Sequence, residues 1–145
     1  MIFIGARSHI SAQCRIEHKK RSEIQASSGV LVSTGAGSTG WLSSIFNMAS
    51  GVARFRGATA IEPFRMPWED RRLIYVVREP FVSRHSQATI VTGMLESGQE
   101  LVLESLMPSG GVVFSDGMEA DYLQFNSGAI AAVRAAEQRA RLVVQ

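Results

Sequence analysis

The chain has 145 residues, enough for one domain with a sizeable core, and its 46% hydrophobic and 19% charged residues are those of an ordinary globular protein. A net charge of +2, with no basic face interleaved with aromatics, argues against nucleic acid as a partner. The single cysteine, Cys14, excludes an intramolecular disulfide framework and a multi-cysteine zinc site, and it fits a reducing, cytoplasmic setting.

In chain order, "MIFIG" reads as a short strand and "AQCRIEH" (Ala12 to His18) alternates as a half-buried one. The basic run "HKKR", His18 to Arg21, is flanked by Glu17 and Glu23 and reads as a solvated turn. "GVLVST" is apolar and β-branched, as a buried strand should be. It runs into the glycine-rich stretch "GAGSTG", after which Trp41, Leu42, Ile45, Phe46, Ala49 and Val52 recur at helical spacing. Ser38 or Thr39 is placed to cap that helix, and Gly51 and Gly57 sit where it should end.

A loop with Pro63, Pro67 and Trp68 follows, and from Leu73 onward the pattern is β: "LIYVVR", "ATIVTGM", "ELVLES" and "GVVFS". "SDGM" (Ser115 to Met118) between "GVVF" and "DYLQF" predicts a two-residue hairpin turn, because Asp-Gly tolerates positive φ. The tail "AIAAVRAAEQRA" suits a helix by propensity and a last strand by pattern. No apolar run approaches the about 18 residues of a membrane span, and no signal-peptide pattern opens the chain.

The glycine stretch is the feature with chemistry in it. Gly35-x-Gly37-x-x-Gly40 after a strand and before a helix, with Glu62 about 20 residues on, matches a Rossmann-type dinucleotide fingerprint. Bulky Trp41 directly after the third glycine and the hairpin-like remainder speak against that alternative. A P-loop fails, since no lysine lies between Arg21 and the C-terminus to reach a triphosphate. His9, His18 and His85 are scattered and show no metal spacing, so no metal site is expected. His9, just after the first strand, is a weaker candidate for substrate contact. Arg78 and Glu79 before Pro80 read as a surface ion pair or a subunit contact.

The segment "SSGVLVSTGAGSTGWLSS", Ser27 to Ser44, resembles the glycine-rich segment of the NAD kinase family. Ser33-Thr34, Gly37-Ser38-Thr39, Gly40, the aromatic Trp41 and Ser44 stand at the matching positions. Gly35, Ala36 and Trp41 depart from the usual proline, threonine and tyrosine, which marks a divergent branch of the ATP-NAD kinase and diacylglycerol kinase-like group. "IFIGARSHISAQCRI", "LIYVVREPF" and "FSDGMEADY" resemble further parts of the family's C-terminal β domain.

The resemblance implies a mainly β fold, an antiparallel β-sandwich with one helix after the glycine loop. It implies one domain over residues 1–145 that is the C-terminal half of a longer kinase. The N-terminal α/β domain, with its Gly-Gly-Asp-Gly-Thr motif and acceptor-activating acid, is absent, and an Asn-Glu/Asp pair is expected just before Ile2. The implied activity of the whole enzyme is ATP- and Mg²⁺-dependent phosphorylation of NAD to NADP at the adenosine ribose 2′-hydroxyl, with the fragment alone inactive and no catalytic residue in it. Lipid or sugar acceptors remain open, since lipid and sphingosine kinases share the architecture. The substrate-binding residues it implies are Thr34, Gly37, Ser38, Thr39, Gly40, Trp41, Ser44 and Asp116, with Trp41 offering a flat face to a base or nicotinamide ring. A homodimer or homotetramer is the expected assembly, with neither nucleic acid nor membrane as partner.

Overall fold

The computed structural model describes residues 1–59, 61–115 and 120–138. In chain order these form β1 (Ile2–Ala6), β2 (Ala12–His18), β3 (Arg21–Ser27), β4 (Val30–Ser33), a 3-10 turn (Ala36–Thr39), α1 (Trp41–Phe55), β5 (Leu73–Val77), β6 (Thr92–Leu95), β7 (Leu101–Ser105), β8 (Gly111–Ser115), β9 (Tyr122–Gln124) and β10 (Ile130–Val133). Two sheets result, ordered β6-β5-β4-β1-β8-β9 and β10-β7-β2-β3. Every ladder between these strands is antiparallel. The expected mainly β sandwich with one helix is what the chain forms.

Side-chain alternation builds three layers. Ile4, Val30, Val32, Tyr75 and Val77 of the larger sheet meet Ala12, Cys14, Ile16, Leu101, Leu103 and Val133 of the smaller one in the main core. The intervening residues of the larger sheet point the other way, where Ile74 and Val76 receive Leu42, Ile45 and Phe46 of α1. β4 is therefore covered on both faces, which explains its unbroken apolar run. β2 faces solvent on its outer side and alternates strictly. Cys14 belongs to the core, and burial pushes its thiol up to about 12, so it acts as a small hydrophobe.

The run "HKKR" becomes a tight hairpin turn. His18 pairs with Arg21, and Lys19 and Lys20 between them take φ of 49° and 63°. β3 was not expected from the sequence, because the residues it turns inward are Glu23, Gln25 and Ser27. They bury because most of their polar atoms find partners, Gln25 Oε1 being the exception. The Glu23 carboxylate accepts hydrogen bonds from Thr89 N and Ile90 N at 2.9 Å each, from Gln25 Nε2 at 2.6 Å, and from the Thr89 hydroxyl. Gln25 Nε2 also donates to Ile90 O at 3.1 Å. This clamp holds the segment between β5 and β6 along the free edge of β3, where Phe81 N donates to Ala26 O and Gln87 N to Ile24 O.

Two sequence expectations need correction. The Rossmann-type alternative fails because β4 and β5, which flank α1, pair antiparallel, so β4, α1 and β5 do not form a parallel βαβ unit. The Asp-Gly turn expected within Ser115 to Met118 falls on residues outside the described ones; the strands on either side of it, β8 and β9, pair antiparallel with Phe114 opposite Tyr122. The helix is capped neither by Ser38 nor by Thr39: Gly40 occupies the N-cap position, without a side-chain cap. The far end behaves as expected at Gly57, whose φ of 76° closes the helix while Ala58 N reaches Ala53 O and Gly57 N reaches Arg54 O. Gly51 lies inside the helix. The first part of the ambiguous tail is strand β10, and residues 139–145 lie outside the described ones.

Candidate functional site

The glycine loop leaves β4, an interior strand of the larger sheet, and delivers the chain to the start of α1. Its own hydrogen bonds fold it tightly. Ser38 N donates to Gly35 O at 3.1 Å, Gly40 N to Gly37 O at 3.2 Å, and Gly37 N to Thr34 Oγ1 at 3.3 Å. Ser33 Oγ donates to Thr34 O, and Ser43 Oγ donates to Gly40 O at 2.7 Å. The amides of Gly37, Ser38 and Gly40 are thus occupied within the loop. The first-turn amides of α1 form the remaining electropositive end, with no acidic side chain in that turn.

Gly35 shows why the first glycine is needed. A Cβ there would lie 1.9 Å from Pro67 O, so what Gly35 admits is the backbone of the following loop, not a pyrophosphate. Ser38 completes that junction. Fully buried, it donates from Oγ to Gly35 O at 2.7 Å and accepts from Met66 N at 3.4 Å.

The residues singled out from the sequence divide into two neighbourhoods. Ser38 and Thr39 line a groove of about 220 Å³ with Ser43, Asn47, Phe64 and Arg65, between α1 and the loop that returns to β5. A second groove of about 350 Å³ shares Asn47 and Pro63 with it and extends to Ser50, Arg54 and Glu62. Trp41 lines neither groove. Its indole stacks on Phe3 at 5.6 Å between ring centroids and 13° between planes, and the Arg78 guanidinium lies over it at 4.8 Å. Thr34, Gly40 and Ser44 are exposed around this helix end, and Gly37 is half-buried. Asp116 lies outside the described residues.

Arg78, Arg65 and Asn47 were not named as site residues from the sequence. Arg78 does pair with Glu79, at 3.7 Å, as read from the sequence. Its contact with Trp41 joins positions far apart in the chain and has no local signature.

The remaining titratable groups serve structure. His18 is buried, with Nδ1 hydrogen-bonded to Tyr75 OH at 3.0 Å; burial and the neighbouring Lys19 charge lower its pKa. Burial acts to raise the Glu23 carboxyl, but the hydrogen bonds from Thr89, Ile90 and Gln25 bring it below its ordinary value. Asp70 is held down to about 2 by hydrogen bonds from Arg72. Among the described residues no group of three or more His, Cys, Asp or Glu could hold a metal ion. Among them, too, no helix is long and apolar enough to cross a membrane.

A face-to-face antiparallel sandwich, with a glycine loop and one helix on the outer face of its larger sheet, is the β domain of an NAD kinase-like fold. The chain matches the crystal structure of an NAD kinase from Archaeoglobus fulgidus, solved in complex with ATP, with a TM-score of 0.55 and 17% sequence identity. The match covers 94% of this chain and 44% of that kinase. At such identity the likeness establishes the fold. No protein-family model and no curated sequence matches the chain.

Proposed function

We propose that this chain is the substrate-binding and assembly domain of an NAD kinase-like phosphotransferase, whose complete form uses ATP to convert NAD to NADP in the cytoplasm as a homodimer or homotetramer. The observation that supports this reading is the fold match, which takes in nearly all of this chain and less than half of the kinase. The unmatched portion of that kinase is where phosphate-handling machinery missing from these 145 residues would lie. In this reading Thr34, Gly37, Thr39, Gly40, Trp41 and Ser44 line one side of the dinucleotide site at the start of α1, Ser38 keeps the loop in shape, and Asp116, outside the described residues, joins them as the resemblance implies.

Phosphoryl transfer rests on positioning and charge stabilisation, so half a site binds without turning over. ATP supplies the phosphoryl group. The described donor set, hydroxyls and amides without a carboxylate cluster, does not suit Mg²⁺, and no step is assigned to the ion through this chain.

A coupled NADP-formation assay tests the reading, run on the 145-residue chain and on a full-length polypeptide that also carries an N-terminal α/β domain. NADP is expected from the longer protein alone, with calorimetric binding of NAD or NADP by the short one. Robust turnover by the 145-residue chain overturns the half-site reading, and absence of NADP formation by the longer protein overturns the kinase assignment.

A further inference from the structure

We propose that Arg78 is an anion-recognising residue of the same site, and that Trp41 is the platform for its guanidinium instead of the platform for a ligand ring. The proposal rests on the dinucleotide reading above and names the group that takes the ligand's phosphate charge.

Arg78 is fixed through its backbone. Its N–H donates to Gly29 O at 2.8 Å, and its carbonyl accepts from Ser28 N at 2.9 Å. The next residue, Glu79, takes φ of 47° immediately before Pro80, where steric crowding already restricts the backbone. That corner sends the chain toward β3, while the Arg78 side chain stays with the helix, over Trp41.

The platform beneath the guanidinium is equally constrained. Trp41 stacks on Phe3, and Phe3 lies against Gly5 and Gly29, where an added Cβ would come within 2.6 Å of its ring. Two glycines, Phe3, Trp41 and Arg78 therefore form one continuous stack, and the stack sets where the cation sits.

The guanidinium has donors to offer. Among the described residues it makes no hydrogen bond, and its one acidic neighbour, Glu79, stands 3.7 Å away with a side chain 59% exposed. The Arg78 side chain itself is 24% exposed, so it is partly desolvated, and a partly desolvated fork is suited to a bidentate phosphate. Arg7 provides the contrast: it also lies over a ring, that of Tyr122 at 5.2 Å, but it donates to the Tyr122 hydroxyl and so has a partner. Trp41 is the first residue of α1, so Arg78 adds a full charge where the helix end carries a partial one. The chain's two lysines sit in the β2–β3 turn, which leaves arginine to supply fixed side-chain charge here. The ligand class is a phosphate or pyrophosphate ester, with the dinucleotide pyrophosphate as the fitting source.

The test reads Trp41 fluorescence in a Trp68→Phe background; Trp68 is the only other tryptophan and is 64% exposed. Inorganic pyrophosphate and NADP are titrated separately. Saturable changes are expected with both, and Arg78→Ala should weaken each by about tenfold or more, as loss of hydrogen bonds to a charged group does. Arg78→Lys should recover part of the affinity, since it keeps the charge and loses the fork. Unchanged affinity in Arg78→Ala overturns the proposal while leaving the dinucleotide reading intact. If Arg78→Ala no longer melts cooperatively, Arg78→Lys decides, and parental affinity there overturns it. Arg78-dependent binding of pyrophosphate with NADP bound no tighter keeps the anion site and removes the dinucleotide reading. No response to either probe overturns both.

Discussion

Two polar regions flank the larger sheet's neighbours in this fold, and they end differently. At the β3 edge, Glu23 and Gln25 are buried and their clamp atoms close on Thr89, Ile90 and each other. At the glycine loop, Ser33, Ser38 and Ser43 also close on nearby carbonyls, but Thr39 and Ser44 are exposed, and the half-buried Arg78 guanidinium, beside Glu79, makes no hydrogen bond among the described residues. Composition does not separate the two regions. What separates them is exposure: the one unpartnered atom of the clamp, Gln25 Oε1, is sealed inside the protein, whereas the open hydroxyls of the second region face solvent, where a ligand can reach them.

The strongest way to break this contrast is to open the clamp. Glu23→Ala leaves the amides of Thr89 and Ile90 without their acceptor and should destabilise the chain by about 3 kcal/mol in urea denaturation. Amide exchange at residues 89 and 90 should rise with it, while exchange at the glycine loop should not. A loss spread evenly over both regions would contradict the separation.

Gly35→Ala attacks the closed part of the loop. The new methyl group meets the Pro67 carbonyl, and the junction must shift, at a cost of about 2 kcal/mol in thermal or urea unfolding. Under the dinucleotide reading proposed above, affinity for NADP should fall as well, because the same junction sets the loop. A stable Gly35→Ala chain would show that the Pro67 segment yields freely.

On the clamp side, acid acts through His18 and Glu23. The folded pKa of His18 lies below its ordinary 6.5, so the unfolded chain takes up that proton first, and stability should decline as pH drops below 6.5. Glu23 lies below its ordinary 4.5, so its contribution is complete above 4.5 and is lost as pH falls through the folded value. A melting-temperature profile against pH should show both declines. His18→Gln should remove the upper one and Glu23→Gln the lower.

The same contrast explains what could be read from the sequence. β1, β2, β4, α1 and the strands from Leu73 to Ser115 follow apolar periodicity, which is local and visible. β3 is invisible by that rule, because its inward residues are polar and are admitted by partners more than sixty positions away. The helix start departs from the sequence pattern for a related reason: Ser38 is a good cap by type, but its hydroxyl is engaged with Gly35 and Met66. The glycine loop itself was legible through its spacing, and the stack of Phe3, Trp41 and Arg78 was not, since it joins three separate segments.

The smallest effect on stability is also the sharpest discriminator. Thr39→Val and Ser44→Ala alter exposed hydroxyls at the start of α1, and each should move the unfolding free energy by no more than about 0.5 kcal/mol. Ser38→Ala, one position from Thr39, should cost about 1 kcal/mol because Gly35 O and Met66 N both lose a partner. Ligand binding should report differently on the two kinds of change. If the exposed hydroxyls face the dinucleotide, Thr39→Val and Ser44→Ala should each weaken NADP by about fivefold at constant stability, the scale of one hydrogen bond. Ser38→Ala should weaken it only in step with the loop's loss of order, measured as amide exchange at residues 35–40. Equal affinities in the Thr39 and Ser44 variants, with stability also unchanged, would mean that this surface holds solvent and that the open polar atoms around the glycine loop carry no ligand.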